Sequence, residues 1–274
     1  MVGAGNRRDE LIQTTLIIIV LLVMMVPIFW MVSAAFKQSV DVFQLKLFFE
    51  PTLKNFYEIF QPPYVIQEKF FNSTIVAGVT VALAIPLSTF AAYGFSRFKL
   101  RFERTMFVGI LATQFVPAVV IVLPFFVLFR DLGLLDSRTG LILINLSLVM
   151  PFGIWMIKSF IDGIPIEIEE AAQIDGATRL QVVTKVVLPL AAPGIVTASI
   201  FCFIIAWNEF LFALILTTNN AVTLPVGLAL FKAEEGELWH YIAAAGILIM
   251  VPMWVLALLI QKHFVKGLTM GAVK

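Results

Sequence analysis

Long stretches without a charged residue are the feature that most constrains this chain. A helix needs about 20 mostly apolar residues to cross the ~30 Å hydrocarbon layer of a membrane. Six stretches without Asp, Glu, Lys or Arg reach or approach that length: 11–36, 70–96, 105–129, 139–157, 186–208 and 238–261. We therefore predict an all-α membrane protein with six transmembrane helices.

Composition excludes several other classes of protein. Hydrophobic residues make up 60% of the chain and charged residues 14%, against about 45–50% and about 25% in a soluble domain. The net charge of +1 does not suggest a nucleic-acid partner. The single cysteine, Cys202, excludes an internal disulfide and a thiolate cluster. His240 and His263 lack partners at metal-ligand spacing, so we expect no metal site.

The distribution of Lys and Arg predicts the orientation. With six spans both termini lie on one side, and the pieces on that side hold 12 of the 19 basic residues. Because basic residues accumulate in cytoplasmic segments, both termini are expected in the cytoplasm. A cleaved signal peptide ending near Ser33–Ala35 is the alternative for the first stretch. Its apolar run is longer than the about 7–15 residues of such peptides, which favours an uncleaved anchor.

Residues 158–189, between the fourth and fifth predicted spans, are polar and predict two short helices. Pro165 suits the first position of a helix, and Gly176 can end that helix in a left-handed conformation. Thr178 with Gln181 forms a capping box for the second helix. Pro189 is predicted to close the second helix and to redirect the chain into span five.

The first of these helices is predicted to dock on another protein. Ile168, Ala171 and Ala172 fall on one face, which could fit a groove on another protein. A helix resting on lipid is the alternative, but such helices usually carry Lys or Arg and large apolar anchors. Glu169 is interpreted as part of a solvated face near the positive end of the helix dipole.

Several motifs resemble one family. The string Glu169–Ala177 (EEAAQIDGA) and the later Val186-Val187-Leu188-Pro189 resemble the EAA motif of ABC-transporter permease subunits. AWNEFLFAL at 206–214 and TLPVGL at 223–228 are similar to the carbohydrate-uptake branch. The C-terminal GLTMGAVK at 267–274 is similar to the maltose-type second permease subunit.

The resemblance implies a type I ABC importer permease fold. Residues 1–69 would form an anchor helix and an exterior loop, residues 70–262 the transmembrane domain, and residues 263–274 a cytoplasmic tail. The loop at 158–189 would be the coupling helix that docks on a cytoplasmic ATPase. The residues assigned to this coupling are Glu169, Glu170, Ala171, Ala172, Asp175, Gly176, Ala177, Leu188 and Pro189.

The resemblance also implies partners. These are a second homologous permease subunit, two ATPase subunits, an extracytoplasmic solute-binding protein, the sugar and membrane lipid. The loop at 217–237 would contact the binding protein through Thr223, Leu224, Pro225 and Gly227. The tail would reach the ATPase interface through Thr269, Gly271 and Lys274.

The chain itself is not expected to be an enzyme. It holds no Gly-x-x-x-x-Gly-Lys-Ser/Thr sequence. We therefore expect no catalytic residue and no cofactor here, with ATP and Mg bound by partner subunits.

Polar residues inside the predicted spans are candidates for a translocation path or gate. Glu209 is predicted to lie inside a fifth helix that runs from about Pro193 to Leu216. Together with Trp207 and Asn208 it could contact sugar. Pairing with the other permease half or a gate is the alternative, which we favour because an acid within the membrane often pairs with protein. Gln114 and Asn145 are weaker candidates, since helix packing alone can explain them.

The sequence thus predicts one permease half of an ATP-driven, binding-protein-dependent sugar importer in a bacterial or archaeal cytoplasmic membrane. A polyol or glycerol phosphate permease is the nearest alternative. A phosphorylated solute would favour Arg or Lys in the cavity, and the predicted spans contain neither. An intramembrane enzyme would need a nucleophile–base or metal-ligand set, which the spans lack. A membrane scaffold would not need a docking helix.

Overall fold

The computed structural model describes residues 7–99, 101–229, 231–233 and 236–271. The chain is mostly helical. Helices α1–α7 are Arg7–Ala35, Ser39–Phe43, Lys54–Ile59, Ile66–Arg97, Glu103–Ala112, Ala118–Asp131 and Arg138–Asp162. Helices α8–α13 are Ile166–Ile174, Arg179–Val182, Leu188–Trp207, Leu211–Leu216, Leu224–Ala229 and Trp239–Gly271. Strands β1 (Lys232–Ala233) and β2 (Gly236–Glu237) form an antiparallel pair.

Five of the six predicted spans are confirmed as continuous helices that are long and apolar enough to cross a membrane. Their qualifying segments are Glu10–Ala35, Ile66–Arg97, Arg138–Asp162, Arg179–Trp207 and Trp239–Leu258. The sequence between Leu211 and Ala229 forms only two short helices. A seventh span is therefore absent from the described residues, as the sequence predicted.

The third predicted span differs from a single helix. It consists of Glu103–Phe115 and Ala118–Asp131, which meet at an angle of 95°. The bend follows from Pro117, which has no N–H to donate and disfavours a helical conformation in the residue before it. Val116 accordingly adopts an extended conformation with φ −75° and ψ 120°. This break was not predicted from the sequence.

The prediction for the fifth helix was wrong at both ends. The helix begins at Arg179, not near Pro193, and ends at Trp207, not at Leu216. Residues Val183–Val187 form a π-helix that joins α9 to α10 without a turn. Pro189 therefore does not redirect the chain. It lies in the first turn of α10, directly after the wider turn, where its missing N–H is tolerated.

The described residues divide into two compact units. One comprises Met1–Ile66 and Leu228–Val251. In this unit, the Asn55 side-chain amide donates to the carbonyl oxygens of Ala35 and Lys37 at 2.8 Å each. The Lys37 ammonium lies 4.4 Å from the centre of the Trp30 ring. These contacts fix the end of α1 against the segment that follows it.

The other unit comprises Gln67–Gly227 and Pro252–Lys274. Two separate apolar clusters stabilise it. The first contains Val76, Val122, Leu141, Ile144, Phe212 and Val222, and the second contains Ala92, Ile154, Ile157, Ile161, Val182 and Val187. Since α4 and α7 contribute early residues to the first and late residues to the second, the clusters lie toward opposite ends of these helices. Each end has its own polar network, described below.

The start of α7 provides a test of this packing. A Cβ atom on Gly140 would lie 2.4 Å from the carbonyl oxygen of Leu134. Gly140→Ala should therefore lower the stability by about 1–3 kcal/mol, because the obstructing atom belongs to the backbone. Gly78→Ala in α4 is the matched control, since a Cβ there meets nothing within 4 Å. Thermal unfolding in detergent gives the melting temperature of each variant. Equal melting temperatures for the two variants would contradict the close contact at Gly140.

Candidate functional site

Helix α8 and the turn after it present the predicted docking residues in two groups. Glu170, Ala171, Asp175 and Gly176 are exposed, whereas Ala172 and Ala177 pack against the second apolar cluster. Leu188 and Pro189 lie at the start of α10, half-buried and exposed respectively. Large apolar side chains also point outward on this surface, most of all Ile174, which is 86% exposed. An exposed apolar side chain beside Glu170 is a feature that a partner protein could cover.

Glu169 is not part of a solvated face, and that interpretation was wrong. Its side chain is 3% exposed and pairs with Arg97, whose side chain is 10% exposed. The distance between Arg97 Nε and Glu169 Oε1 is 2.6 Å. Tyr93 donates from its hydroxyl to Glu169 Oε2 at 3.0 Å. The neighbouring residue Glu170 points elsewhere because successive helical residues are about 100° apart.

Arg97 joins three elements through this ion pair. Its Nη2 donates to the carbonyl oxygens of Ile161 and Ile164, both at 2.9 Å, at the C-terminal end of α7 and in the turn beyond it. Carbonyl groups at a helix end have no partner within the helix, and a cation there is favourable. Arg97 thus ties the end of α4 to the end of α7 and to α8. This network was not predicted from the sequence.

The turn between α8 and α9 forms as predicted. Gly176 has φ +89°, a left-handed conformation that glycine adopts without steric cost. The capping box is also confirmed. The Thr178 amide donates to Gln181 Oε1 at 2.8 Å, and the Gln181 amide donates to Thr178 Oγ1 at 3.4 Å.

The opposite end of the same unit is held by Asp136. Its carboxylate accepts the backbone N–H groups of Thr218, Asn219, Asn220 and Ala221 at 3.0–3.2 Å. Partial burial raises the pKa of Asp136, but these four amides outweigh it and hold the pKa well below its usual value. The loop after α11 is therefore fixed to the connection between α6 and α7.

The loop residues predicted to touch a binding protein are mostly interior. Thr223, Leu224 and Gly227 are buried, and Pro225 is half-buried. Ser73 accepts the Leu224 amide at 2.8 Å. Thr218, Asn219 and Asn220 are exposed instead. Those three are described residues of this loop that another protein could reach.

Trp207, Asn208 and Glu209 do not form one polar surface. Trp207 is buried and stacks on Phe203 with ring centres 5.6 Å apart. Asn208 donates to the carbonyl oxygen of Ile204 at 2.8 Å.

Glu209 lies between two helices, not inside one. It accepts the amides of Phe212 and Ala213 at 2.8 and 3.0 Å, which satisfies the first turn of α11. The Glu209 carboxylate therefore caps the N-terminal end of α11.

The remaining predicted residues are scattered. Asn145 is buried and donates to the Leu141 carbonyl oxygen at 2.8 Å. Gln114 is exposed at the break between α5 and α6. Thr269 and Gly271 lie in the helical backbone of α13, and Lys274 lies outside the described residues.

The structure thus has several helices long and apolar enough to span a membrane, with the short helix α8 between two of them. Residues 84–270 match the family described as "Binding-protein-dependent transport system inner membrane component". The chain belongs to this family, and the predicted resemblance to ABC-transporter permeases is confirmed.

Individual relatives agree with the family assignment. The chain is 32% identical to the trehalose/maltose transport system permease protein of Thermococcus litoralis, over 97% of this chain and 99% of the relative. It is 41% identical to the sulfoquinovosyl glycerol transport system permease protein of Agrobacterium fabrum, over 82% and 79%.

A solved structure confirms the fold. A chain of a bacterial ABC transporter involved in the import of the acidic polysaccharide alginate superimposes with a TM-score of 0.78 and 25% identity. The match covers 96% of this chain and 99% of that chain. The predicted all-α importer permease fold is therefore confirmed.

The buried ion pair gives a test with a control on the next residue. Glu169→Gln should lower stability by about 3 kcal/mol, because it leaves the buried Arg97 guanidinium without its counter-charge. Glu170→Gln should change stability by less than about 0.5 kcal/mol, because Glu170 is exposed. Thermal unfolding of the two purified variants distinguishes them. A smaller effect at Glu169 than at Glu170 would contradict the described network.

The Asp136 contacts predict a dependence on pH. Because the folded-state pKa is lowered, the carboxylate stabilises the protein above its unfolded-state pKa of about 3.9 and loses this contribution as the pH falls below it. Asp136→Asn should cost about 1–2 kcal/mol near neutral pH. The difference in melting temperature between wild type and variant should be constant from about pH 5 to 8 and shrink below about pH 4. A difference that grows on acidification would exclude this role.

Proposed function

We propose that this chain is one membrane half of an ATP-driven, binding-protein-dependent importer of sugars. Membership of the transport family supports the importer class. The solute class is supported by the relatives, whose names specify trehalose, maltose and sulfoquinovosyl glycerol. A second, homologous permease chain would complete the path.

Helix α8 is the proposed docking element for a cytoplasmic ATPase. The observation that carries this proposal is that two adjacent glutamates of α8 differ in burial. Glu169 is buried in an ion pair, whereas Glu170 is exposed beside Ile174. The buried side fixes the helix to α4 and α7, so a force on the exposed side would reach both spans. Because this chain lacks the phosphate-binding motif, ATP and Mg would be bound by the ATPase subunits.

The proposed orientation places this docking end in the cytoplasm. Four basic residues between Arg97 and Arg104 follow the second span directly, as expected for a cytoplasmic loop. Both termini would then be cytoplasmic, in a bacterial or archaeal cytoplasmic membrane. The family description, which names an inner membrane component, supports this location.

The loop held by Asp136 then faces the exterior and would meet the solute-binding protein. Thr218, Asn219 and Asn220 are its accessible residues. A loop that is already fixed loses little conformational entropy when a partner binds. A solved alginate ABC transporter in complex with a periplasmic protein supports this kind of partner, at the level of the fold.

Ile174→Asp tests the proposed function in cells. A charge at this exposed apolar position should weaken ATPase docking without disturbing the interior of the protein. We expect uptake of one neutral sugar from a labelled panel of saccharides, polyols and glycerol phosphate to fall at least about tenfold, which corresponds to about 1.4 kcal/mol of lost docking energy. Expression level and thermal unfolding of the variant should match wild type.

Glu167→Gln serves as the control, because Glu167 is an exposed acidic residue of the same helix. This variant should import the same sugar at the wild-type rate. Normal uptake by Ile174→Asp would exclude α8 as the docking element. Uptake of no panel member by wild type would exclude the sugar class.

A further inference from the structure

We propose that the break between α5 and α6 lines the solute path and that Gln114 and Phe115 contact a neutral sugar there. This inference rests on the proposed function and assigns the solute contact to specific residues of this chain. The break comprises the 3₁₀ turn Thr113–Phe115 and the extended residues Val116 and Pro117.

The break lies at the middle of a spanning helix. Gln114 Nε2 donates to the carbonyl oxygen of Leu148 at 3.2 Å. Leu148 is the eleventh residue of the 25-residue α7, close to its midpoint. In a membrane crossed by α7, the break therefore lies within the hydrocarbon layer and away from both surfaces.

Non-helical backbone at this depth cannot face lipid. Its unpaired N–H and C=O groups would lack hydrogen bonds there, at a cost of several kcal/mol each. Such backbone occurs in membranes only where protein covers it or where it lines a water-filled cavity. Phe115 in the break is 87% exposed, so the described residues of this chain do not cover it.

A cavity is present on this side of the break. It has a volume of about 580 Å³, which is within the range of small-molecule sites. Gln114, Phe115 and Ser147 are among the lining residues. Pro151 has no N–H, so the carbonyl oxygen of Ser147, one turn earlier in α7, lacks its helical donor. That carbonyl oxygen is a further acceptor near the cavity.

The lining residues suit a neutral polyhydroxylated solute. The Gln114 amide can donate and accept, the Ser147 hydroxyl can accept, and the Phe115 ring offers an apolar face for the C–H side of a sugar. Residues 105–129 and 139–157, which surround the break, contain no charged side chain. An anionic solute would favour Arg or Lys there.

The other predicted path residues are less suitable. Trp207 and Asn145 are buried in the protein. Asn208 donates to the carbonyl oxygen of Ile204 at the end of α10, and Glu209 is engaged by the amides at the start of α11. Within the described part of the chain, Gln114 thus stands out among the predicted path residues. It is exposed, lines a cavity and lies at the middle of a spanning helix.

Cysteine labelling tests the inference in the assembled transporter. The one native cysteine is buried, so a Cys202→Ala background is suitable. Gln114→Cys and Phe115→Cys are made in this background and treated with a water-soluble, charged methanethiosulfonate reagent. Leu22→Cys is the control, because Leu22 lies at the middle of α1 and is 63% exposed. Co-purification of each variant with its partner subunits confirms that the complex is assembled.

We expect both break positions to react and Leu22→Cys to remain unreactive. The neutral disaccharide that the cells import, trehalose or maltose, should slow labelling at Gln114→Cys at least about twofold, the reduction at half occupancy. Glucuronate should not slow it. Break positions as unreactive as Leu22→Cys, or labelling unchanged by an imported sugar, would overturn the inference alone. Wild-type cells that import no sugar would overturn the proposed function, and the sugar contact with it.

Discussion

The guanidinium of Arg97 has a charged or polar acceptor on several sides, and the position of α8 depends on it. A buried charge is tolerated only when its hydrogen-bonding groups are satisfied, and here Glu169 and the carbonyl oxygens of Ile161 and Ile164 satisfy them. This requirement fixes α8 relative to the ends of α4 and α7. The exposed face of α8 is consequently a rigid surface, which suits the transfer of movement between subunits.

The opposite end of the same unit follows the same physical rule with the charges reversed. The Asp136 carboxylate is satisfied by four successive backbone amides, and the loop they belong to becomes ordered. Between the two ends the helices pack through apolar and small side chains, where Gly153 lies close to Ser88 and Cys202. The charged groups of the two networks thus lie outside the apolar interior.

Local rules were sufficient for the spans, the capping box at Thr178 and the left-handed Gly176, because each depends on residues within one or two helical turns. The role of Glu169 could not be found in this way, since its partner Arg97 is 72 residues earlier. A basic residue at the end of one span and an acid beside the EAA string were the available signals. The start of the fifth helix was missed because a π-helix accommodates Pro189, which local rules treat as a terminator.

The π-helix at Val183–Val187 also determines how α10, which follows it, is rotated about its own axis. A wide turn of this kind holds one residue more than a regular α-helical turn, and each residue corresponds to about 100° of rotation. Deleting a single residue there would turn α10 by that angle about its axis. Side chains that now face the interior, such as Cys202 and Trp207, would then point in another direction. Chain length in this segment is therefore fixed by geometry even where the identity of its side chains is not.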